Sequence, residues 1–269
     1  AAWSISNYIN FSFFDGTRLS HIDADCAAYT KVLLDFNQTQ QHYLMCLGWQ
    51  KIMNLRGTSK HTVLLIGDAF DERKGTYDTV DLMANTQKHA LDLTKAGLCC
   101  FFGEYEMGAK LSVVSALALA EATPGASTVP PSLFRAALTC FAASHVTTSK
   151  SRKYLKTARQ CAKQLKVWNK QGHPNCPHYL TILKAEEHFL RGKHSSAIAL
   201  YAQSIKSTSQ RGYIHDEATA NERLADCLMD YGRRDDAKSR YEESSRLYRE
   251  WGALKKVEVL EAKTQKLFQ

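Results

Sequence analysis

The chain has 269 residues, a mass of 30.3 kDa, and 44% hydrophobic and 23% charged residues. This composition is typical of a globular protein, and it excludes a disordered chain, a collagen-like fibre and a disulfide-stapled mini-protein. The formal net charge of +8 is uneven, because residues 1–130 carry 10 Lys and Arg against 13 Asp and Glu, whereas residues 131–269 carry 25 against 14. Such an excess in the second half indicates an anionic partner or a solvated helix face.

Helical periodicity dominates the chain, with apolar residues recurring at spacings of three and four. The predicted helices are, in order, 1–14, 18–36, 38–55, 60–73, 79–102, 105–122, 131–146, 150–170, 177–190, 194–210, 214–230, 234–249 and 253–267. The loop Thr123–Pro131 contains three of the five prolines. It predicts a boundary between N-terminal helical repeats, 1–122, and basic C-terminal repeats, 131–269, within one continuous solenoid.

A sequence repeat is visible in the C-terminal half. Shifting the chain by one period superposes Ala185 on Ala225, Gly192 on Gly232, Ala197 on Ala237, Tyr201 on Tyr241, Ser204 on Ser244 and Gly212 on Gly252. Small residues let paired helices approach closely, and each glycine closes a turn. The pattern resembles the tetratricopeptide repeat, although its period is longer than that family's usual unit of about 34 residues. We therefore predict an all-α fold of tandem antiparallel helix hairpins, a tetratricopeptide-like right-handed superhelix.

No stretch of the sequence predicts a membrane segment. The uncharged run 1–14 is shorter than the roughly 20 residues that a spanning helix needs, and polar residues interrupt it. The eight cysteines form no C-x-x-C pair, which favours reduced, buried thiols and a cytoplasmic protein. Because the chain lacks an initiator Met and starts inside a predicted helix, we expect it to be a segment of a larger polypeptide.

Several short motifs in the chain go beyond generic repeat spacing. They are Phe102-Gly103-Glu104-Tyr105, Trp168, the loop 173–179, Lys184-Ala185-Glu186, 197–201, 213–218, Ala220-Asn221-Glu222, Tyr248, Trp251-Gly252-Ala253, Lys256-Val257 and Leu260-Glu261. Together these motifs resemble the helical region of large multi-domain sensor kinases (serine/threonine or histidine kinases) that carry an internal AAA/STAND-type ATPase. The resemblance extends over most of the chain and is weaker before residue 100.

The resemblance implies a regulatory role without catalysis in this chain. In that family the kinase-like and ATPase domains precede the helical repeats, and a sensor domain follows them. The chain contains no G-x-x-x-x-G-K-[ST] phosphate loop and neither H-R-D nor D-F-G. We therefore expect a non-enzymatic interaction arm with no cofactor, whose partner is a protein, a peptide or another domain of the same polypeptide. A free-standing tetratricopeptide adaptor is the main alternative.

The predicted helix 150–170 carries a basic stripe and no acidic residue. Its members recur at spacings of three and four: Arg152, Lys156, Arg159, Lys163, Lys166 and Lys170. Three interpretations remain open, namely a solvated face, a surface for an acidic protein or domain, and a site for the phosphates of nucleic acid or anionic lipid. Nucleic acid is disfavoured because only Tyr154 and Trp168 could supply stacking.

Three further clusters have spacings that disfavour a functional interpretation, and we predict no metal site and no catalytic residue. They are His173, Cys176 and His178 as zinc ligands, the acidic residues of 68–78 as a calcium loop, and Cys140 with His145 as nucleophile and base. The zinc candidate lacks a second pair of ligands, and the acidic residues do not match the spacing of a calcium loop. The side chains of Cys140 and His145 diverge on a helix.

Overall fold

The computed structural model describes residues 2–74, 82–147 and 151–269, and this part of the chain is almost entirely helical. Its twelve α-helices are α1 (Ala2–Phe14), α2 (Leu19–Asp35), α3 (Thr39–Arg56), α4 (Leu82–Phe102), α5 (Tyr105–Ala122), α6 (Val129–Val146), α7 (Ser151–Lys170), α8 (Cys176–Leu190), α9 (His194–Arg211), α10 (Ile214–Asp230), α11 (Arg234–Trp251) and α12 (Leu254–Phe268). A short 3₁₀ helix, Glu72–Lys74, precedes α4.

Neighbouring helices pack in pairs, which confirms the predicted all-α class. Helices α4, α6 and α8 also contact one another in succession, and α12 contacts α3 and α4. Helix α6 begins at Val129 and has two prolines in its first turn. Backbone N–H groups in the first turn of a helix have no acceptor within the helix, so proline loses no hydrogen bond there. The division of the chain at 123–131 and the superhelical hand stay predictions.

The predicted helix 60–73 is wrong, because this segment forms turns and a short 3₁₀ helix. Side chains of α3 bind its backbone: the Nδ2 group of buried Asn54 donates to the carbonyl oxygens of Thr62 and Leu64, at 3.2 and 2.9 Å. Gln50, one turn earlier, accepts a hydrogen bond from an amide of the same loop. The other predicted helices begin and end within two residues of their predicted limits, except that the predicted starts at residues 1, 79 and 150 lie outside the described residues.

The sequence repeat of the C-terminal half is a packing repeat. The four alanines of the pattern are completely buried, Tyr201 and Tyr241 are at most 1% exposed, and both serines are buried. Gly212 and Gly252 end α9 and α11 in the left-handed conformation, with φ of 76° and 95°. A side chain would be strained there, which explains why glycine recurs at this position.

Each repeat also contains a polar triad that links one hairpin to the next. In the first triad, the hydroxyl of Tyr201 in α9 donates to the carboxylate of Glu186 in α8. Arg223 of α10 binds the same carboxylate. The carboxylate and the tyrosine belong to one hairpin and the cation to the next, so the triad fixes successive units against each other.

The second triad lies one period further along the chain. Here Tyr241 of α11 and Lys263 of α12 both bind the carboxylate of Asp226 in α10. The three positions are those of the first triad shifted by the same period that superposes the alanines and glycines. The repeat therefore includes a polar contact as well as an apolar one.

The N-terminal helices pack against the C-terminal ones. The ring of Phe13 in α1 lies 5.2 Å from that of Trp251 in α11, in an edge-on arrangement. A β-carbon at Gly16 would lie 2.9 Å from the carbonyl oxygen of Gly212, so only glycine permits this close approach of the two backbones. One of the two hydrophobic clusters therefore joins α1–α4 to α10–α12.

Candidate functional site

Helix α7 presents the predicted basic stripe to solvent. All six predicted residues are exposed: Arg152, Lys156, Arg159, Lys163, Lys166 and Lys170. The opposite face of the helix is apolar, and Ala158, Cys161 and Leu165 are completely buried in it. The structure therefore brings the predicted residues together on one exposed face of a well-anchored helix.

The sequence of α7 does not neutralise its own charge. Its 20 residues include seven Lys and Arg and no Asp or Glu, whereas α11 carries five of each kind. Among the described residues, the six predicted cations form a single ion pair, between Arg159 Nε and Glu187 Oε1 at 3.3 Å. On α11, by contrast, Arg246 binds both Glu243 and Glu250. Most of the positive charge of α7 is therefore not neutralised by the residues that the structure describes.

A shallow, open depression of about 410 Å³ lies along this face. Its lining comes from one helix: Arg152, Leu155, Lys156, Arg159, Gln160 and Lys163. The two aromatic residues of α7 are elsewhere, since Tyr154 is 2% exposed and Trp168 packs against the core. Neither ring is placed on the basic face for stacking on a nucleotide base.

Two of the other clusters from the sequence contribute buried side chains to the core, and Asp71 of the acidic cluster pairs with exposed Arg73. His178 is buried and its Nε2 lies 3.0 Å from Asp216 Oδ2. Within residues 2–74, 82–147 and 151–269, no group of three His, Cys, Asp or Glu side chains is arranged to hold a metal ion. Burial raises the pKa of the Cys140 thiol and lowers that of the His145 imidazole, so this cysteine stays a neutral thiol. Asp78 of the acidic cluster lies outside the described residues.

All eight cysteines are buried and free of disulfides. Burial raises the pKa of the thiol in each, for example to about 12 in Cys26, Cys99 and Cys161. Such thiols are weak nucleophiles and poor metal ligands, because both reactions require the thiolate. The cysteines therefore act as small apolar residues of the core. The cytoplasmic location stays a prediction.

Sequence reasoning missed a cleft between α1, α3, α4, α6 and the loop 123–128. We call it the α1–α6 cleft, and its volume is about 450 Å³. Apolar side chains form much of its wall: Trp3, Phe13, Phe14, Leu44, Leu47, Leu93, Phe101, Leu119, Pro124 and Pro131. Two cationic side chains, Lys51 and Arg135, also line it.

The two cations of the cleft differ in how they are compensated. Arg135 Nη2 binds Asp216 at 2.5 Å and its Nη1 binds Thr219 at 2.9 Å, so a carboxylate neutralises this guanidinium. Lys51 makes no hydrogen bond or ion pair with any residue that the structure describes, and its Nζ lies 3.4 Å from the centre of the Phe13 ring. The pKa of Lys51 is lowered to about 7, chiefly by burial and in part by the nearby guanidinium of Arg135.

A weak sequence signal for Lys51 existed. It lies four residues after Leu47 and four before Leu55, both of which are buried, so a lysine interrupts the apolar stripe of α3. A charged residue in such a stripe needs either a partner or a function. Nothing in the local sequence indicates that α1 and the loop 123–128 lie beside it.

No protein-family model, curated protein or solved structure matches the chain. The class of fold, an all-α arrangement of paired helices, thus comes from the structure itself, and the resemblance to sensor kinases with an internal ATPase stays a prediction. In the described part of the chain, no helix combines the length and apolarity required to cross a membrane.

Proposed function

We propose that this chain is a non-catalytic helical-repeat interaction module in which α7 binds an acidic surface of another protein or of a neighbouring domain. The observation that carries the proposal is the charge of α7, with seven cations, no acidic residue and a single ion pair from the predicted stripe to a described residue. Charge of this kind attracts and orients an oppositely charged surface over a distance of about 8 Å at physiological salt.

A protein surface fits α7 better than nucleic acid does. Proteins that bind single strands combine cations with aromatic rings on which the bases stack, and the basic face of α7 offers no such ring. The side chains of Leu155 and Gln160 lie among the cations of the depression. This mixture of apolar, polar and cationic groups suits a protein surface with carboxylates around an apolar contact.

The resemblance to multi-domain sensor kinases supports a regulatory role for this contact. In our proposal, the module is the arm of a signal-transduction ATPase or kinase, and occupation of α7 alters how the arm packs against the catalytic domains. Such coupling requires that the partner binds two arrangements of the arm with different affinities. A free-standing adaptor would use the same face without an attached enzyme.

Charge reversal tests the binding proposal. The variant Lys156→Glu/Arg159→Glu/Lys163→Glu changes three exposed positions of α7, and Lys193→Glu/Lys206→Glu/Lys238→Glu makes the same change of charge at exposed positions away from α7. With a labelled poly-glutamate peptide of about 20 residues at about 150 mM salt, we expect the α7 variant to lose at least about tenfold in affinity and the control less than about twofold.

Equal losses in the two variants would refute a specific surface on α7. Tighter binding of a duplex DNA of about 20 base pairs than of poly-glutamate, with the same dependence on α7, would replace the protein partner by nucleic acid. The regulatory arm is tested separately by reading the coding frame on both sides of residues 1–269. A phosphate-binding loop encoded upstream would support the regulatory arm. A start codon just before residue 1 together with a stop codon after residue 269 would support the free-standing adaptor instead.

A further inference from the structure

The α1–α6 cleft has the dimensions and the wall of a small-molecule site. Its volume of about 450 Å³ lies within the range of about 300–1,000 Å³ that ligand sites occupy. Helices from both sides form it, with Phe13 and Phe14 from α1, and Leu93 and Phe101 from α4. A concave, largely apolar wall with few polar groups favours a ligand that has an apolar body.

Lys51 gives the cleft a charge that the described protein does not neutralise. Its closest partner in the described residues is the ring of Phe13, which covers one side of the ammonium at 3.4 Å. A cation–π contact of this kind offsets part of the cost of burial but accepts no hydrogen bond in the ordinary sense. An acceptor that carries a negative charge would satisfy the remaining N–H groups.

Two serine hydroxyls in the same cleft are also without partners. Ser6 Oγ on α1 and Ser127 Oγ on the loop 123–128 are buried and form no hydrogen bond. Buried hydroxyls are nearly always hydrogen-bonded, because leaving one unsatisfied costs about 1–3 kcal/mol. Two such groups, at residues that line the cleft beside Lys51, are a second observation of hydrogen-bonding capacity that the described residues leave unused.

We propose that the α1–α6 cleft binds a small organic acid with an apolar body, whose acid group pairs with Lys51. The apolar body lies against the aromatic and leucine side chains of the wall, and rotation of the Ser6 or Ser127 side chain would bring its hydroxyl to the polar atoms of the ligand. Arg135 keeps its pairing with Asp216, so Lys51 is the cation that the ligand pairs with. This site is independent of α7, because none of the residues that line the cleft belongs to that helix.

The described surroundings of Lys51 favour an anion over a cationic ligand, because they contain no acidic partner for its ammonium. The pKa of Lys51 is lowered to about 7 because burial disfavours its charged form, and the groups that interact with it are Cys26 of α2, Arg135 of α6 and His215 of α10. None of these three carries a negative charge near pH 7. A bound carboxylate would stabilise the ammonium, so binding at pH 8 is expected to be accompanied by uptake of a proton.

The test uses three probes with the same ten-carbon chain: decanoate, decan-1-ol and decylammonium. Each competes with the fluorescent acid 8-anilinonaphthalene-1-sulfonate for the unmodified chain. We expect decanoate to bind at least about tenfold more tightly than decanol, and decylammonium more weakly than both. In Lys51→Met the preference for the acid disappears while decanol binds as before, and Lys51→Arg retains the preference.

Two further variants separate the site from general effects of charge or folding. Lys88→Met removes an exposed lysine of α4 that does not line the cleft, and it is expected to change nothing. Gly97→Leu fills the cleft from α4, where a β-carbon meets no atom within 4 Å, and it is expected to abolish binding of acid and alcohol alike while the chain stays folded. Equal affinities for decanoate and decanol, an unchanged preference in Lys51→Met, or no displacement of the fluorescent acid would each overturn the proposal.

Discussion

Replacement of Arg223 by methionine tests the polar triad that joins successive hairpins. Arg223 Nε and Nη2 donate to the two carboxylate oxygens of Glu186, at 2.7 and 2.9 Å, and Nη1 donates to Asp226 at 2.6 Å. Arg223 is 4% exposed and Glu186 is inaccessible to solvent. Methionine occupies similar space without charge, so Glu186 would keep only the hydroxyl of Tyr201 as a partner.

The expected cost is large because the remaining charge is buried. Removing one partner of a buried ion pair costs about 3–5 kcal/mol. At about 2–4 °C for each kcal/mol, the melting temperature is expected to fall by about 6–20 °C. Lys263→Met is the matched control at the equivalent position of the next repeat. The side chain of Lys263 is 39% exposed, so water replaces it at Asp226 and the expected cost is below about 1 kcal/mol.

Urea unfolding followed by far-ultraviolet circular dichroism measures both variants. Adding Glu186→Gln to Arg223→Met is expected to restore part of the lost free energy of unfolding, because it removes the unpaired charge. A loss below about 1 kcal/mol in Arg223→Met, or equal losses in Arg223→Met and Lys263→Met, would contradict the argument from burial.

Five other substitutions, in three sets, test separate parts of the fold. Burial lowers the pKa of His215 to about 4, so between pH 6.5 and 4 the unfolded chain binds a proton that the folded chain does not. As the pH falls through this window, the free energy of unfolding should decrease by up to about 3 kcal/mol. In urea titrations, His215→Phe should make this decrease smaller. Gly108→Ala should lower the free energy of unfolding by about 1–3 kcal/mol, because its β-carbon would lie 2.7 Å from two buried side-chain atoms. The β-carbon of Gly48→Ala meets no atom within 4 Å, so this variant should raise the free energy of unfolding by about 0.5–1 kcal/mol. Changes of the same sign in the two variants, measured by thermal unfolding, would contradict this argument. Tyr201→Phe should cost about 1–3 kcal/mol, and more than Tyr241→Phe, because water reaches only the carboxylate that Tyr241 binds; the reverse order would be evidence against the burial difference.

Periodicity predicts most of the helices because an apolar face is a property of the local sequence. It fails at 60–73, where the backbone carbonyls of Thr62 and Leu64 accept hydrogen bonds from Asn54 of α3 rather than from a helix of their own. The repeat analysis likewise predicts the alanines and tyrosines that pack. It does not predict the triads, because Glu186 and Arg223 look like surface residues of a charged helix until α8 and α10 are placed side by side.

The two candidate sites differ in how far the local sequence predicts them. The basic face of α7 was predictable because all six residues lie on one helix, where their spacing alone places them together. The α1–α6 cleft combines Ser6, Lys51 and Ser127, which come from three segments far apart in the sequence, and no local pattern relates them. A site assembled from distant segments becomes visible only when the helices are packed in three dimensions.

Helix α1 packs on α11 through Phe13 and Trp251. This contact changes how local unfolding should spread through the molecule. In an open array of repeats each unit touches only its neighbours, so the ends fray first and stability is nearly a sum of adjacent terms. Here α1–α3 and α10–α12 support each other although helices α4–α9 separate them in the sequence. Loosening α12 should therefore expose amides of α3 to hydrogen exchange before those of α7, so that a disturbance at one end of the sequence reaches the other end before the middle.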